Sequence, residues 1–430
     1  MRGLYFERWV HRKTGLLAMV NLKTTYQKVL KLGLIWIFHS LKLCLKSNFI
    51  FIIILIGLSS CIKPYVPQYK DTSVLKYVVE GMVSSEEGIQ EVRVSKSSSA
   101  NIPIYNPIGD CKVKIVDEVG QEFDLFELNN GIYQVWMEQD ELVVGRSYKV
   151  VVETPEGNIL ESEFDQMPSG AELNIPSYFV EVQAGQQVNE WKKGLQFYID
   201  LEGSEQNSKF YRWQLIETWE YHSAYPVEFY YDGQVQQVYP PDYSEMYCWT
   251  TDQVDQIFTL NTTNFSSNAI QKFPLHFIEN NSSRLGVLYS LLINQMALSE
   301  DAYIYWDQLR QNMTDQGGLY ATQPLAVKGN IKNLTSPEQD VLGFFQASYV
   351  SSIRVFVPPP ADLELTFTDK CSPTPLEHGF IEIRPRNYPA YLLTVDGEWT
   401  MTVLNDECVK CTLRGGTTEK PEFWPEEDEK

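Results

Sequence analysis

Between residues 75 and 164 the chain breaks into seven short runs of β-branched and aromatic residues: LKYVVEGMV (75–83), IQEVRVS (89–95), CKVKIVD (111–117), EFDLFEL (122–128), GIYQVWM (131–137), SYKVVVE (147–153) and ILESEF (159–164). Gly, Pro, Asn and Asp separate them, and no 3.6-residue period runs through them. Strands this short, with turn signals between them, bury their apolar faces by packing two antiparallel sheets together. The stretches LNNG (128–131) and TPEGN (154–158) have the residues of hairpin connections. The expectation is a mainly β chain that starts with an Ig-like β-sandwich over 75–168.

DQMPSG (165–170) interrupts the pattern and marks a boundary. Beyond it, over 169–430, a larger and mostly antiparallel β domain is expected. Its strands are KGLQFYIDLEG (193–203), KFYRWQLIETWEY (209–221), KFPLHFIEN (272–280) and RLGVLYSLLINQMAL (284–298). In EFYYDGQVQQVY, Asp232-Gly233 is read as a two-residue hairpin turn. VKGNIKN (327–333), the turn SPEQD (336–340) and VLGFFQASYVSSIRVFV (341–357) follow, the last as a bent or broken strand pair. A single helix is expected over 299–314. Ser299 is its N-cap, Glu300 and Asp301 occupy the positive end of its dipole, and Ala302, Trp306, Leu309 and Met313 share one face. DQGG (315–318) would end it. The tail from Pro358 is loop-rich and holds three of the cysteines considered below.

Upstream, FIIILIGLSSC (51–61) ends an apolar run preceded by Lys42 and Lys46. Its ten uncharged residues from 49 to 58 fall short of the ~20 that cross a bilayer, but suit the core of an export signal. Residues 1–60 are therefore set aside as leader, and residues 61–74, with two prolines and no periodicity, as a tether. The leader is long for a signal, and Met19 is an alternative start.

The whole chain has a formal net charge of −21. Nine of the 35 basic residues but only one of the 56 acids lie in the leader, which leaves about −29 on the remainder. Such a surface repels nucleic acid and anionic membrane faces. Of seven cysteines, Cys44 lies in the leader, and Cys111 alternates with Val113 and Ile115 as a strand-core residue. In an oxidising compartment Cys248, Cys371, Cys408 and Cys411 are candidate disulfide partners, with three possible connectivities. Cys408-x-x-Cys411 also has the spacing of zinc ligands, a rival reading that export weakens. No zincin, nucleophile-elbow or phosphate-loop motif occurs, so no catalytic residue, metal or cofactor is assigned. His276 reads as a satisfied core histidine, His222 as a sheet-surface residue.

The most unusual composition spans 219–249, where ten aromatics crowd one segment. Trp219, Tyr221, Tyr225, Tyr230, Tyr231, Tyr239 and Tyr243 are candidate contacts for a glycan, peptide or protein partner, because Tyr and Trp present rigid amphipathic area. The alternative is a Tyr-rich hairpin whose rings pair across strands.

Leu58-Ser59-Ser60-Cys61 resembles the lipobox of bacterial lipoproteins, in which the Cys thiol is acylated. Together with YVVEGMV, YIYWDQLRQN, VKGNIKN, VLGFFQASYV and ECVKCTLRGGTTEKPEFW, it makes residues 61–425 resemble the Bacteroidota outer-membrane lipoproteins of domain-of-unknown-function family 4249. The resemblance implies anchoring to the outer membrane through Cys61, on a face it does not fix. It also implies a binding or accessory role beside a TonB-dependent transporter in ligand capture or uptake. The alternatives are an exported hydrolase acting on glycans or peptides and a structural envelope lipoprotein.

Overall fold

A computed structural model describes residues 75–98, 104–185, 189–314, 327–368 and 370–426. Cys61, the leader, the tether and the DQGG stretch lie outside them. The seven expected strands are present: Tyr77–Ser84 (β1), Gly88–Lys96 (β2), Lys112–Asp117 (β3), Glu122–Asn129 (β4), Ile132–Met137 (β5), Ser147–Glu153 (β6) and Ile159–Ser162 (β7). Strand alternation sends Val79, Val92, Ile115, Tyr133, Val150 and Leu160 into one core, all fully buried. β1, β2 and β5 form one layer; β3, β6 and β7 form the other. β4 turns the corner between them: Phe123 and Leu125 pair with β3, and Phe126 and Glu127 pair with β5. The Thr154–Asn158 turn closes through backbone bonds, with Gly157 in the left-handed region at φ 82°.

The second block contains Ser177–Ala184 (β8), Trp191–Glu202 (β9), Phe210–His222 (β10), Val227–Tyr231 (β11), Val235–Asp242 (β12), Tyr247–Gln253 (β13), Phe258–Asn261 (β14), Ala269–Glu279 (β15) and Leu288–Ala297 (β16). The sheet β8-β9-β15 packs on the sheet that contains β13, β10 and β16. Phe197, Ile199, Trp213, Leu215, Tyr289 and Ile293 fill the space between. The hairpin loop between β11 and β12 has three residues, not the two expected: Tyr231 pairs with Val235, which leaves Asp232, Gly233 and Gln234. The helix runs over Glu300–Thr314 (α1), with the Ser299 hydroxyl accepting from the Ala302 amide at 3.2 Å. Of its expected apolar face Ala302 is buried, whereas Met313 is exposed. Among the described residues no helix is long and apolar enough to cross a membrane.

The last part of the chain ties both blocks together. Ile331–Asn333 (β17) pairs with β7 of the first sandwich. Phe345–Val357 (β18) is one continuous strand with two sets of neighbours: Phe345–Ser348 run parallel to β1, and Tyr349–Val357 run antiparallel to β16. The hydrogen-bonded sheet thus crosses the division expected at residue 168, and Asp71–Lys430 form one unit. The crossing explains the glycines of VKGNI and VLGFF. A Cβ on Gly343 would lie 2.0 Å from the Val79 carbonyl oxygen, and one on Gly329 would lie 1.7 Å from that of Gly343. Asn330 completes the junction, donating to the Phe345 carbonyl at 2.8 Å and accepting from its amide at 3.0 Å. Beneath it the buried Asp165 accepts from the Ala347 amide at 2.8 Å. Burial pushes its carboxyl up to about 6, although hydrogen bonds from Ser299 and Ala347 act the other way.

The tail forms the hairpin Ala390–Val395 (β19) and Glu398–Leu404 (β20), which extends the β11–β12 hairpin into a five-stranded sheet. Cys248 bonds to Cys411 and Cys371 to Cys408. The zinc reading of Cys408-x-x-Cys411 is thereby corrected: each thiol is consumed by a different partner, and no metal-binding group occurs among the described residues. Cys111 is buried and free.

Candidate functional site

β10 alternates in two directions. Tyr211, Trp213 and Leu215 point into the second core, while Arg212 and Gln214 point out of it. On that outer side α1 lies across the start of the strand, and the outward residues of β1 and β2 approach from the first sandwich. Together they line a cleft of about 360 Å³ whose walls carry Glu80, Met82, Glu91 and Arg93 from β1–β2, Arg212 and Gln214 from β10, Gln253 from β13, and Tyr305 and Trp306 from α1. That volume lies within the range of small-ligand sites.

Arg212 is the unusual group. Its guanidinium carbon sits 3.6 Å from the Trp306 ring centroid, and Nη1 reaches only the Met296 sulfur, at 3.4 Å. Nε is fully buried and has no hydrogen-bond partner. No carboxylate among the described residues forms an ion pair with it. Burial lowers its pKa to about 10 despite the field of Tyr305 and Glu80, so it is still charged at neutral pH. A buried charge without a pairing acid is costly, and a cation–π contact of about 1–2 kcal/mol offsets only part of that. The aromatic wall is held rigidly: Trp306 Nε1 donates to Gln346 Oε1 at 2.6 Å, and Gln346 donates to Ser348 at 2.9 Å.

A second polar cluster is closed. Glu217 is buried in the second core and accepts from Arg284 at 2.6 Å and from Tyr289 Oη at 3.0 Å, with His276 Nε2 at 3.3 Å. Burial disfavours its charge, but His276, Arg284 and Tyr289 together hold the carboxyl below its usual range. His276 is thus the satisfied core histidine expected. Both oxygens of this acid are engaged by three groups of the protein itself, an arrangement that fixes the core.

The aromatic segment is divided among three environments. Tyr221 is buried at 6% exposure; its hydroxyl donates to the Cys411 carbonyl at 3.2 Å and accepts from the Gly416 amide at 2.8 Å. It is a structural residue, not a contact. A Cβ on Gly416 would lie 2.3 Å from that hydroxyl, which accounts for a glycine in CTLRGG. Trp219 packs beside Tyr221 and the Cys248–Cys411 bridge. Tyr225 and Tyr230 pack on Tyr391, Leu404 and Cys408, so they supply a core to the tail. Tyr231 stacks on Phe380 at 4.4 Å. Tyr239 and Tyr243 alone of the seven are exposed, at 88% and 48%. The seven rings thus do not form one surface: Trp219 and Tyr221 pack beside a disulfide, Tyr225 and Tyr230 in the core of the tail, and Tyr231 on Phe380. His222 lies at the sheet surface beside Glu220, 2.8 Å away. The Trp424 indole of KPEFW also donates to Glu220, at 3.0 Å, and seals that end of the outer face. None of the seven aromatics lines the Arg212 cleft. Sequence reasoning missed Arg212; the available signal was a cation placed between the two aromatics Tyr211 and Trp213 on the polar side of an alternating strand.

No curated protein matches the sequence. Two solved structures have a partial likeness. A Salmonella alpha-2-macroglobulin mutant is 10% identical at a TM-score of 0.16, over 74% of this chain and 16% of that one. The BSP domain of a biofilm-associated protein is 8% identical at a TM-score of 0.13, over 68% of this chain and 62% of that one. The chain spans less than two thirds of the length of either, and neither likeness carries an argument about fold or function. Residues 62–354, more than half of the chain, match the family described as "Domain of unknown function (DUF4249)". That interval takes in both sandwiches, α1 and most of β18, and the match makes the chain a member of the DUF4249 family.

Proposed function

We propose that this chain is a ligand-binding protein of the cell envelope, held to the outer membrane by a lipid on Cys61, which captures a small ligand for a TonB-dependent transporter. The observation that carries the binding role is Arg212, a buried guanidinium without a pairing acid on the wall of an open cleft. A protein retains such a cost where the missing partner arrives as a ligand. Support for the anchor comes from the apolar run that ends in Leu58-Ser59-Ser60-Cys61.

The test is affinity purification of the tagged chain from detergent-solubilised envelopes, with intact-mass analysis of its N-terminus. The expected result is a diacyl or triacyl adduct on Cys61 and a large β-barrel receptor in near-stoichiometric amount. An unacylated product still carrying its upstream residues, with no barrel after crosslinking, would refute the anchor and the transporter role together.

A further inference from the structure

The ligand class follows from two opposite charges of the cleft lining that no ion pair joins, Arg212 and Glu80, although the field of Glu80 reaches Arg212, given that the cleft is a binding site as read above. On the β1–β2 wall Arg93 and Glu91 consume each other at 2.7 Å, and Glu91 also accepts from Gln134 at 2.8 Å. Glu80, on the same wall, is exposed and has no hydrogen bond or ion pair among the described residues. Arg212, from β10, has no oxygen acceptor, its Nη1 reaching the Met296 sulfur and its Nε no partner, and it is not bonded to Glu80. Between them Gln214 donates to Gln253 at 3.2 Å, which leaves the Gln253 amide N–H and the Gln214 carbonyl free to serve a polar chain.

We infer that the cleft binds a short peptide with free ends, its carboxylate on the Arg212 fork and its ammonium group toward Glu80. The Nη end of a guanidinium matches a carboxylate geometrically, and the Trp306 ring lies against its face. An acidic oligosaccharide fits less well, because Glu80 and the −21 formal charge of the chain both oppose a polyanion.

The experiment incubates the detergent-solubilised full chain with three pools of random tripeptides, and with galacturonate oligomers, and reads retained compounds by mass spectrometry. The pools have free ends, amidated C-termini or acetylated N-termini. The free-end pool should be retained at least tenfold over the amidated pool, and Arg212→Met should remove that retention. The same variant should melt no lower than the wild type, since the guanidinium has no ion pair to lose and its contact with Trp306 offsets only part of the cost of burying the charge. Glu80→Gln, at an exposed position that spares the fold, should abolish the preference for free over acetylated N-termini. Equal retention of amidated peptides, retention that survives Arg212→Met, preferential retention of galacturonate oligomers, or no retention of any pool would each overturn the peptide assignment. None of these results depends on the barrel co-purification, so the two readings fail separately.

Discussion

Replacing Asp165 by Asn should remove a pH-dependent load from the junction of the two sandwiches. The folded carboxyl titrates near 6 against 3.8 for the free side chain, because burial disfavours its charge. The folded state therefore holds a proton that the unfolded state has already lost, and stability falls as pH rises from about 4 to about 6. At 1.36 kcal/mol per unit the shift amounts to about 3 kcal/mol, fully imposed above pH 6 and absent below pH 4. The amide stays neutral throughout, and its oxygen can still accept from the Ala347 amide, the bond that measures 2.8 Å in the wild type. Guanidinium midpoints for wild type and Asp165→Asn should thus coincide near pH 4 and separate to about 3 kcal/mol in favour of the variant at pH 7–8. A difference between the two proteins that stays constant with pH would refute the reasoning.

Because β18 pairs in both sandwiches, calorimetry should show one cooperative transition, with Phe345→Ala lowering its stability by about 3–5 kcal/mol; two resolved transitions would contradict the shared strand. The Cys371–Cys408 bridge closes a sequence separation of 37, so its removal by paired Ser substitutions should cost about 4 kcal/mol in a chemical denaturation series. Tyr221→Phe removes the acceptor of the Gly416 amide and a donor to the Cys411 carbonyl, and should cost about 1–3 kcal/mol with little change in the circular dichroism spectrum.

The first sandwich was legible because each strand carries its own alternation and its own turn residues; Gly131 and Gly157 mark connections that the sequence announces. What stayed hidden depends on long-range pairing. Nothing local in VLGFFQASYVSSIRVFV says that Phe345–Ser348 run beside β1 while the rest runs beside β16. The division at 168 therefore looked cleaner in the sequence than in the fold. The glycines of VKGNI and VLGFF were visible as motif letters, but their cause is close backbone packing that no local pattern shows: Gly329 lies against the Gly343 carbonyl, and Gly343 under the carbonyl of the sequence-distant Val79. The aromatic density of 219–249 drew attention to itself, yet its rings are shared out: Tyr225 and Tyr230 pack in the core of the tail, Trp219 and Tyr221 pack beside the Cys248–Cys411 bridge, and Tyr239 and Tyr243 are exposed. Arg212 left a fainter trace, since a cation in an alternating strand ordinarily reads as a solvated face, and only the fold places Trp306 over it and leaves its Nε without an acceptor.

The most direct test of the binding claim is the Nη N–H signal of Arg212, recorded by nuclear magnetic resonance on arginine-labelled protein and assigned with Arg212→Met. On titration with free-end tripeptides the account predicts a saturable displacement of that signal and slower exchange with water, as the carboxylate engages the guanidinium. A signal that stays in place at saturating peptide would contradict it.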